Sequence, residues 1–296
     1  MKDSIHPKTR LGTVHIIVSN LQRSLEFYEY AVGLGVNQRQ DDTAHLASGG
    51  LEPLLHLTEL PWSESPTYST GLYHFALRVP TRKELAMACH RILERGITIQ
   101  GCSDHIVSEA IYLHDPDGNG IEIYCDRPSE NWRDETGSIC MGTQPLAISG
   151  LLAELEACHG TREVIHPKTS VGHIHLHVGD LADAEQYYCG VLGFELVQRY
   201  GTSAAFVSAG GYHHHIGFNT WASAIHHPSP LGATGLHSYT VCLPHRRALS
   251  DVADRIRYSG HLLEEHKDVF LARDPSGNCL MLATASNSAK DLTLYT

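Results

Sequence analysis

The sequence predicts an α+β chain made of two tandem copies of one unit, each copy a pair of strand–helix–three-strand (βαβββ) modules. Two observations carry this. The pentapeptide Ile-His-Pro-Lys-Thr at Ile5 to Thr9 returns at Ile165 to Thr169, and the similarity continues without a gap. Gly12, His15, Val18 and Leu21 recur as Gly172, His175, Val178 and Leu181, and Tyr28 and Gly33 recur as Tyr188 and Gly193. Further on, Gly71-Leu72 to Pro80 matches Gly235-Leu236 to Pro244, and the turn Asp115 to Asn119 matches Asp274 to Asn278. A period this long marks duplicated domains, not a solenoid of short units. The second observation is that the hydrophobic period switches between that of a strand and that of a helix twice within each copy. Along the chain this gives a first domain at 1–125, a connection at 126–162 and a second domain at 163–296.

Each copy opens on an apolar run that suits a strand, Val14 to Val18 or Ile174 to Val178. In the first copy Leu21, Leu25, Tyr28 and Val32 then fall on one helical face, and Gly33 stops the helix. Gly71 to Pro80 reads as the strand of the next module. Thr81-Arg-Lys-Glu84 is a capping box, opening a helix with Leu85, Cys89 and Ile92 on its apolar face and Gly96 at its end. Leu249, Val252, Ile256 and Gly260 repeat that helix in the second copy. Thr43 to Ala47, Pro53 to Leu57, Ile111 to His114 and Gly120 to Cys125 are short strands between Gly, Asp, Asn and Pro turns. In the connection, Leu151 to Cys158 suits a short helix.

Composition excludes several function classes. A formal charge of −11 argues against nucleic acid and anionic membranes as partners, since both require a concentrated basic surface. No stretch approaches the ~20 apolar residues of a membrane helix, and the start carries no apolar secretory segment, so a cytoplasmic location is expected. The 8 cysteines form no Cys-x-x-Cys pair, which suggests neither a disulfide framework nor a thiolate zinc site. The conspicuous count is 22 histidines, because imidazole is a common ligand of iron, zinc, copper and nickel.

Strand alternation decides which histidines matter. Residues two apart share a face, so His15 lies with Ile17 while Val14, Ile16 and Val18 face the core. In the same way His74 lies with Ala76 and Arg78, and Glu122 lies with Tyr124, opposite Ile121 and Ile123. Two neutral imidazoles and one carboxylate on three strands are the donors of a facial triad for non-haem Fe(II). The same residues also admit a structural reading, in which the histidines pack and Glu122 faces solvent or pairs with Arg78. A carboxylate between two isoleucines needs some partner if it is buried.

The modules His15-Ile-Ile-Val-Ser-Asn-Leu, Ser24-Leu-Glu-Phe-Tyr28, Tyr73-His74-Phe75 and Asp115 to Tyr124 resemble the vicinal oxygen chelate superfamily. The two-copy chain, with Ser103-Asp-His105 to Tyr112, is similar to its catechol 2,3-dioxygenase branch. The resemblance implies two vicinal-oxygen-chelate domains, each a curved, partly closed mixed sheet with helices outside. It implies metal ligands at His15, His74 and Glu122, binding Fe(II) with Mn(II) as the other ion the donors suit. Tyr112 and His105 fall at the family's positions near bound substrate and oxygen. The implied activity is extradiol cleavage of a catechol-type aromatic diol by O2, and a homo-oligomer is compatible with folds of this kind.

In the second copy the counterparts of His15, His74 and Glu122 are His175, Ser238 and Met281, so that copy is expected to be non-catalytic. Tyr212-His213-His214-His215 resembles the stretch where such dioxygenases keep an acid/base histidine. Without a carboxylate to complete it, the run is read as structural or vestigial, which leaves His56 or His105 for proton transfer. Two alternatives on the same scaffold are a glyoxalase-like metal-dependent isomerase or transferase, and a non-enzymatic protein that binds aromatic ligands or drugs.

Overall fold

A computed structural model of the chain describes residues 4–50, 52–66, 69–156, 163–222, 230 and 232–285. The first module comprises β1 (Arg10–Val18), α1 (Leu21–Phe27), β2 (Gly35–Arg39), β3 (Thr43–Ala47) and β4 (Leu55–Glu59). The second comprises β5 (Gly71–Arg78), α2 (Arg82–Glu94), β6 (Gly101–Asp104), β7 (Ser108–His114) and β8 (Gly120–Asp126). The connection supplies β9 (Gln144–Pro145) and α3 (Ile148–Leu152), while Cys158 lies outside the described residues. The third module comprises β10 (Ser170–His177), α4 (Leu181–Glu185), β11 (Glu195–Tyr200), β12 (Ala204–Ser208) and β13 (Ile216–Asn219). The fourth comprises β14 (Gly235–Leu243), α5 (Arg246–Tyr258), β15 (Leu263–His266), β16 (Val269–Arg273) and β17 (Cys279–Thr284). Four βαβββ modules are therefore present, as the repeat predicts. No described helix is long and apolar enough to cross a membrane.

Local signals place the helices. Asn20 caps α1 by accepting from the Arg23 backbone N–H at 2.8 Å, and Thr81 caps α2 by accepting from Glu84 N–H at 3.3 Å. After α1 the chain widens into one π-type turn over Tyr28–Val32 and is stopped by Gly33 at φ 82°.

The modules do not pair within their own halves of the chain. β1 runs antiparallel to β14, and β5 runs antiparallel to β10. One mixed sheet has the order β15-β16-β17-β14-β1-β4-β3-β2 and joins the first and fourth modules. The other has the order β11-β12-β13-β10-β5-β8-β7-β6-β9 and joins the second and third. Each curved sheet thus takes half its strands from each copy, whereas the sequence reading places both modules of a copy in one sheet. The residues that recur between copies explain how the halves interlock. The Tyr28 hydroxyl donates to Asp115 Oδ2 at 2.9 Å and the Tyr188 hydroxyl to Asp274 Oδ2 at 2.9 Å, tying the first module of each copy to the β-turn of its second. The pentapeptides tie copy to copy: Ile5 N–H donates to Gly193 O at 2.8 Å and Ile165 N–H to Gly33 O at 2.9 Å.

One continuous apolar cluster runs through both sheets. It includes Val14, Ile16, Phe75, Leu77, Ile121, Ile123, Ile174 and Leu176, all fully buried. These are the odd or even strand positions that alternation assigns to the core. Burying a Leu, Ile or Phe side chain is worth roughly 1.5–3 kcal/mol, so this face is fixed and the remaining positions are left for chemistry.

A candidate metal centre at the junction of two copies

Across the second sheet, strand register sets the non-core face in rows. Tyr112 of β7 lies opposite Glu122 of β8, Glu122 opposite Ala76 of β5, and Ala76 opposite His173 of β10. In the next row Gly120 lies opposite His74, and His74 opposite His175. Small residues between large ones leave room. A Cβ at Gly120 would stand 2.1 Å from Tyr73 O and 3.0 Å from His74 Cβ, so only glycine fits beside His74.

Both His74 Nε2 and His173 Nε2 lie 3.1 Å from Glu122 Oε2, and all three side chains are buried. Among the described residues this is the one group that brings three ligand atoms within 4.8 Å of one another. Burial alone raises the Glu122 pKa, but the neighbouring His173, then His74, outweighs it and holds the carboxylate well below its usual range. Burial in turn lowers the His173 pKa despite Glu122, which keeps that imidazole neutral. A divalent cation fits this set. His74 Nε2 is buried, close to a carboxylate oxygen, and has no hydrogen-bond partner, an omission that coordination would repair.

His74 and Glu122 are therefore brought together as the sequence reading expects, and His15 is not. His15 belongs to β1, in the other sheet, where Nε2 is 2.8 Å from Thr58 Oγ1. The third imidazole is His173, whose counterpart in the first copy is Thr13. The direct counterpart of His15, His175, reaches the same cavity but its Nε2 accepts from Asn219 Nδ2 at 2.9 Å. Asn219 is itself held by His177 Nδ1 at 2.8 Å, so the His175 lone pair is spent.

The triad forms one wall of a cavity of about 550 Å³. His105 and Tyr112 stand in that cavity, and their Nε2 and hydroxyl are 2.7 Å apart. His105 Nδ1 lies 2.8 Å from Gly142 O, a group that only accepts, so Nδ1 carries the proton and Nε2 accepts from Tyr112. Burial, followed by the charge of Glu122, raises the Tyr112 pKa well above its ordinary value and keeps the hydroxyl protonated.

The histidine run is buried and hydrogen-bonded, as a structural reading expects, and it also borders the cavity. His213 is fully buried and His214 lines the cavity, its ring centroid 4.1 Å from that of His173. His213 Nε2 is 2.8 Å from Asp126 Oδ1, and His213 Nδ1 is 2.9 Å from His214 Nδ1. With Nε2 donating to the carboxylate, His213 offers Nδ1 as the acceptor toward His214. His214 then donates from Nδ1 and keeps the lone pair on Nε2. The carboxylate missing from the second copy is supplied by Asp126 of the first.

The first sheet shows what the cavity replaces. Its equivalents of His173, His74 and Glu122 are Thr13, Ser238 and Met281, none suited to a hard divalent ion. Where the second sheet has Gly217 opposite His175, the first has His56 opposite His15. The His56 ring stacks on His15 at 3.9 Å and meets His45 edge-on at 4.5 Å, while His237 covers His15 at 4.2 Å. The space is filled by imidazole, and His56 lies far from the proton-transfer role considered for it. Burial, then the neighbouring His45 and His237, lowers the His56 pKa to about 3.

The family model described as Glyoxalase/Bleomycin resistance protein/Dioxygenase superfamily matches residues 10–123 and again 170–282. The chain is 48% identical over 276 residues to the Catechol-2,3-dioxygenase of Bacillus subtilis (strain 168), covering 92% of this chain and 96% of that protein. It is 28% identical over 118 residues to the Trivalent organoarsenical cleaving enzyme of Bacillus sp. (strain MD1), covering 38% of this chain and 70% of that protein. Among solved structures, a putative dioxygenase from Bacillus subtilis aligns with a TM-score of 0.65 at 14% identity, covering 98% of this chain and 92% of that one. Glyoxalase I from Zea mays aligns with a TM-score of 0.59 at 15% identity, covering 97% and 96%. At these identities the structural matches speak for the fold.

Proposed function

Since the chain belongs to the Glyoxalase/Bleomycin resistance protein/Dioxygenase superfamily, we propose that it is an extradiol dioxygenase that opens a catechol-type diol with O2 at one mononuclear centre. The centre is an Fe(II) ion held by His74, Glu122 and His173, with Mn(II) the other ion these donors suit. The observation that carries this reading is the convergence of two buried imidazoles and one buried carboxylate at 3.1 Å on the wall of a cavity. The name of the Bacillus subtilis relative supports the substrate class.

When bound, the divalent ion would supply a Lewis acid that makes the vicinal hydroxyls easier to deprotonate. The protein does the rest. Burial holds His214 neutral, so its Nε2 receives the proton that leaves the diol, and the His213–Asp126 pair fixes the tautomer that makes this possible. The Tyr112 hydroxyl donates its proton to His105 across 2.7 Å, so it offers its oxygen lone pairs to the hydroxyls of the incoming diol. The ring carbon–carbon bond beside the diol breaks, and both atoms of O2 enter the ring-opened semialdehyde. His74, Glu122 and His173 would supply three protein donors, whereas isomerase chemistry on this scaffold calls for a fourth donor and no oxygen. Oxygen uptake by Fe(II)-loaded protein tests the proposal: consumption of O2 matching the appearance of yellow product is expected. Turnover unchanged under nitrogen would overturn it.

A further inference from the structure

Resting on that reading, we propose that the substrate is an uncharged catechol bearing a bulky apolar, preferably aryl, substituent, and that Trp221 and Tyr73 form the wall that receives it. Three features of the cavity point there. Its volume of about 550 Å³ far exceeds the need of one ring, since a benzene molecule is held in a cavity of roughly 150 Å³. Space for a second ring remains once the diol has met the triad.

The second feature is a half-exposed aromatic surface on the cavity wall. Tyr73 is 40% exposed and Trp221 50% exposed, and their ring centroids are 5.4 Å apart at 88°. The wall is fixed in place. Trp221 donates from its backbone N–H to Asn219 Oδ1 at 3.0 Å and from its indole to Ser203 Oγ at 3.1 Å. It also abuts the chemistry: Tyr73 precedes His74, and both aromatic rings lie within 5.6 Å of the His175 ring. A rigid, exposed edge-to-face pair offers an apolar partner at little entropic cost.

The third feature is charge. Among the described lining residues Glu122 is the only carboxylate, and no lysine or arginine is present. With the metal taken up by the diol, a substituent carrying its own carboxylate would be desolvated among lining residues that include no lysine or arginine to meet it. The cavity therefore selects against acidic catechols as well as for apolar ones.

The test uses Fe(II)-loaded full-length protein and a panel of catechol, 3-phenylcatechol and 3,4-dihydroxyphenylacetate. Each added apolar group in a matched pocket contributes roughly tenfold or more in kcat/KM, so 3-phenylcatechol is expected to exceed catechol by at least about tenfold and the acidic substrate to fall below catechol. Trp221→Ala is expected to lower kcat/KM for 3-phenylcatechol roughly tenfold more than for catechol, mainly through KM. Trp221→Phe should restore most of that difference. Equal kcat/KM for phenyl and unsubstituted substrates, or preference for the acidic one, would overturn the inference and leave ring cleavage standing. Binding is read independently of turnover by quenching of indole fluorescence under nitrogen. If no catechol is opened, tight quenching by 3-phenylcatechol but not by the acidic analogue still supports this class of ligand, and equal quenching by both defeats it.

Discussion

Replacing His56 with leucine should make this protein more resistant to acid. His56 is fully buried, neither ring nitrogen has a hydrogen-bond partner, and its pKa is lowered to about 3, first by burial and then by His45 and His237. In the unfolded chain an imidazole takes up its proton near pH 6.5, so below that pH the unfolded state binds more protons than the folded one. Stability is therefore fully present above about pH 6.5 and is lost progressively as the pH falls toward 3. At about pH 5, one and a half units below the unfolded pKa, the loss from this one group is about 2 kcal/mol, against less than about 0.1 kcal/mol at pH 7.5. Leucine has a similar volume and no proton to bind. Urea unfolding of both proteins at the two pH values measures the effect. His56→Leu should lose about 2 kcal/mol less than the parent on acidification. An equal loss in the two proteins would refute the reasoning.

Other expectations follow from the second sheet. Tyr112→Phe keeps the ring and removes the hydroxyl that meets His105, so kcat should fall roughly a hundredfold. His105→Ala added to it should cost under about tenfold more, because the pair acts as a unit, and independent multiplication of the two effects in steady-state assays would contradict this. Glu122→Gln removes the only anionic donor, and competition with a chelator should show metal affinity weakened by at least about a hundredfold. Affinity within a few-fold of the parent would contradict it. Gly120→Ala must displace Tyr73 O or His74, and should cost about 1–3 kcal/mol of stability together with metal retention. An unchanged Tm with full metal content would show that the site is looser than its geometry implies.

Much of this architecture was legible because it is written in short-range pattern. The fourfold βαβββ order, the caps at Asn20 and Thr81, and the faces of His74 and Glu122 all follow from strand or helix period over a few residues. His105 and Tyr112 were legible only through the resemblance of the Ser103 to Tyr112 stretch to the family's pattern; they lie on the β6–β7 hairpin beside Glu122. What local period cannot encode is which β1-type strand meets which β5-type strand, since β5 would pair with β1 or β10 by the same hydrogen bonds. That choice decides the third imidazole, and it moved the candidate site from within one copy to between two. A signal was nonetheless present. Among the described residues, the first copy brings His74 and Glu122 together with no second imidazole of its own in the ligand cluster, and the second brings His173, His175 and His214 to the cavity with no carboxylate. Two incomplete donor sets that complement each other fit a shared centre better than one working copy and one relic. Gly217 against His56 carries the same message, because only one of the two sheets keeps the space open.

The most direct test of the central claim is the metal content of His173→Ala and His15→Ala, each purified without oxygen and reloaded with Fe(II). A centre built across the two copies predicts that His15→Ala retains the parent's iron and that His173→Ala loses it. Iron retained by His173→Ala and lost from His15→Ala would place the ion in the first sheet and contradict the account.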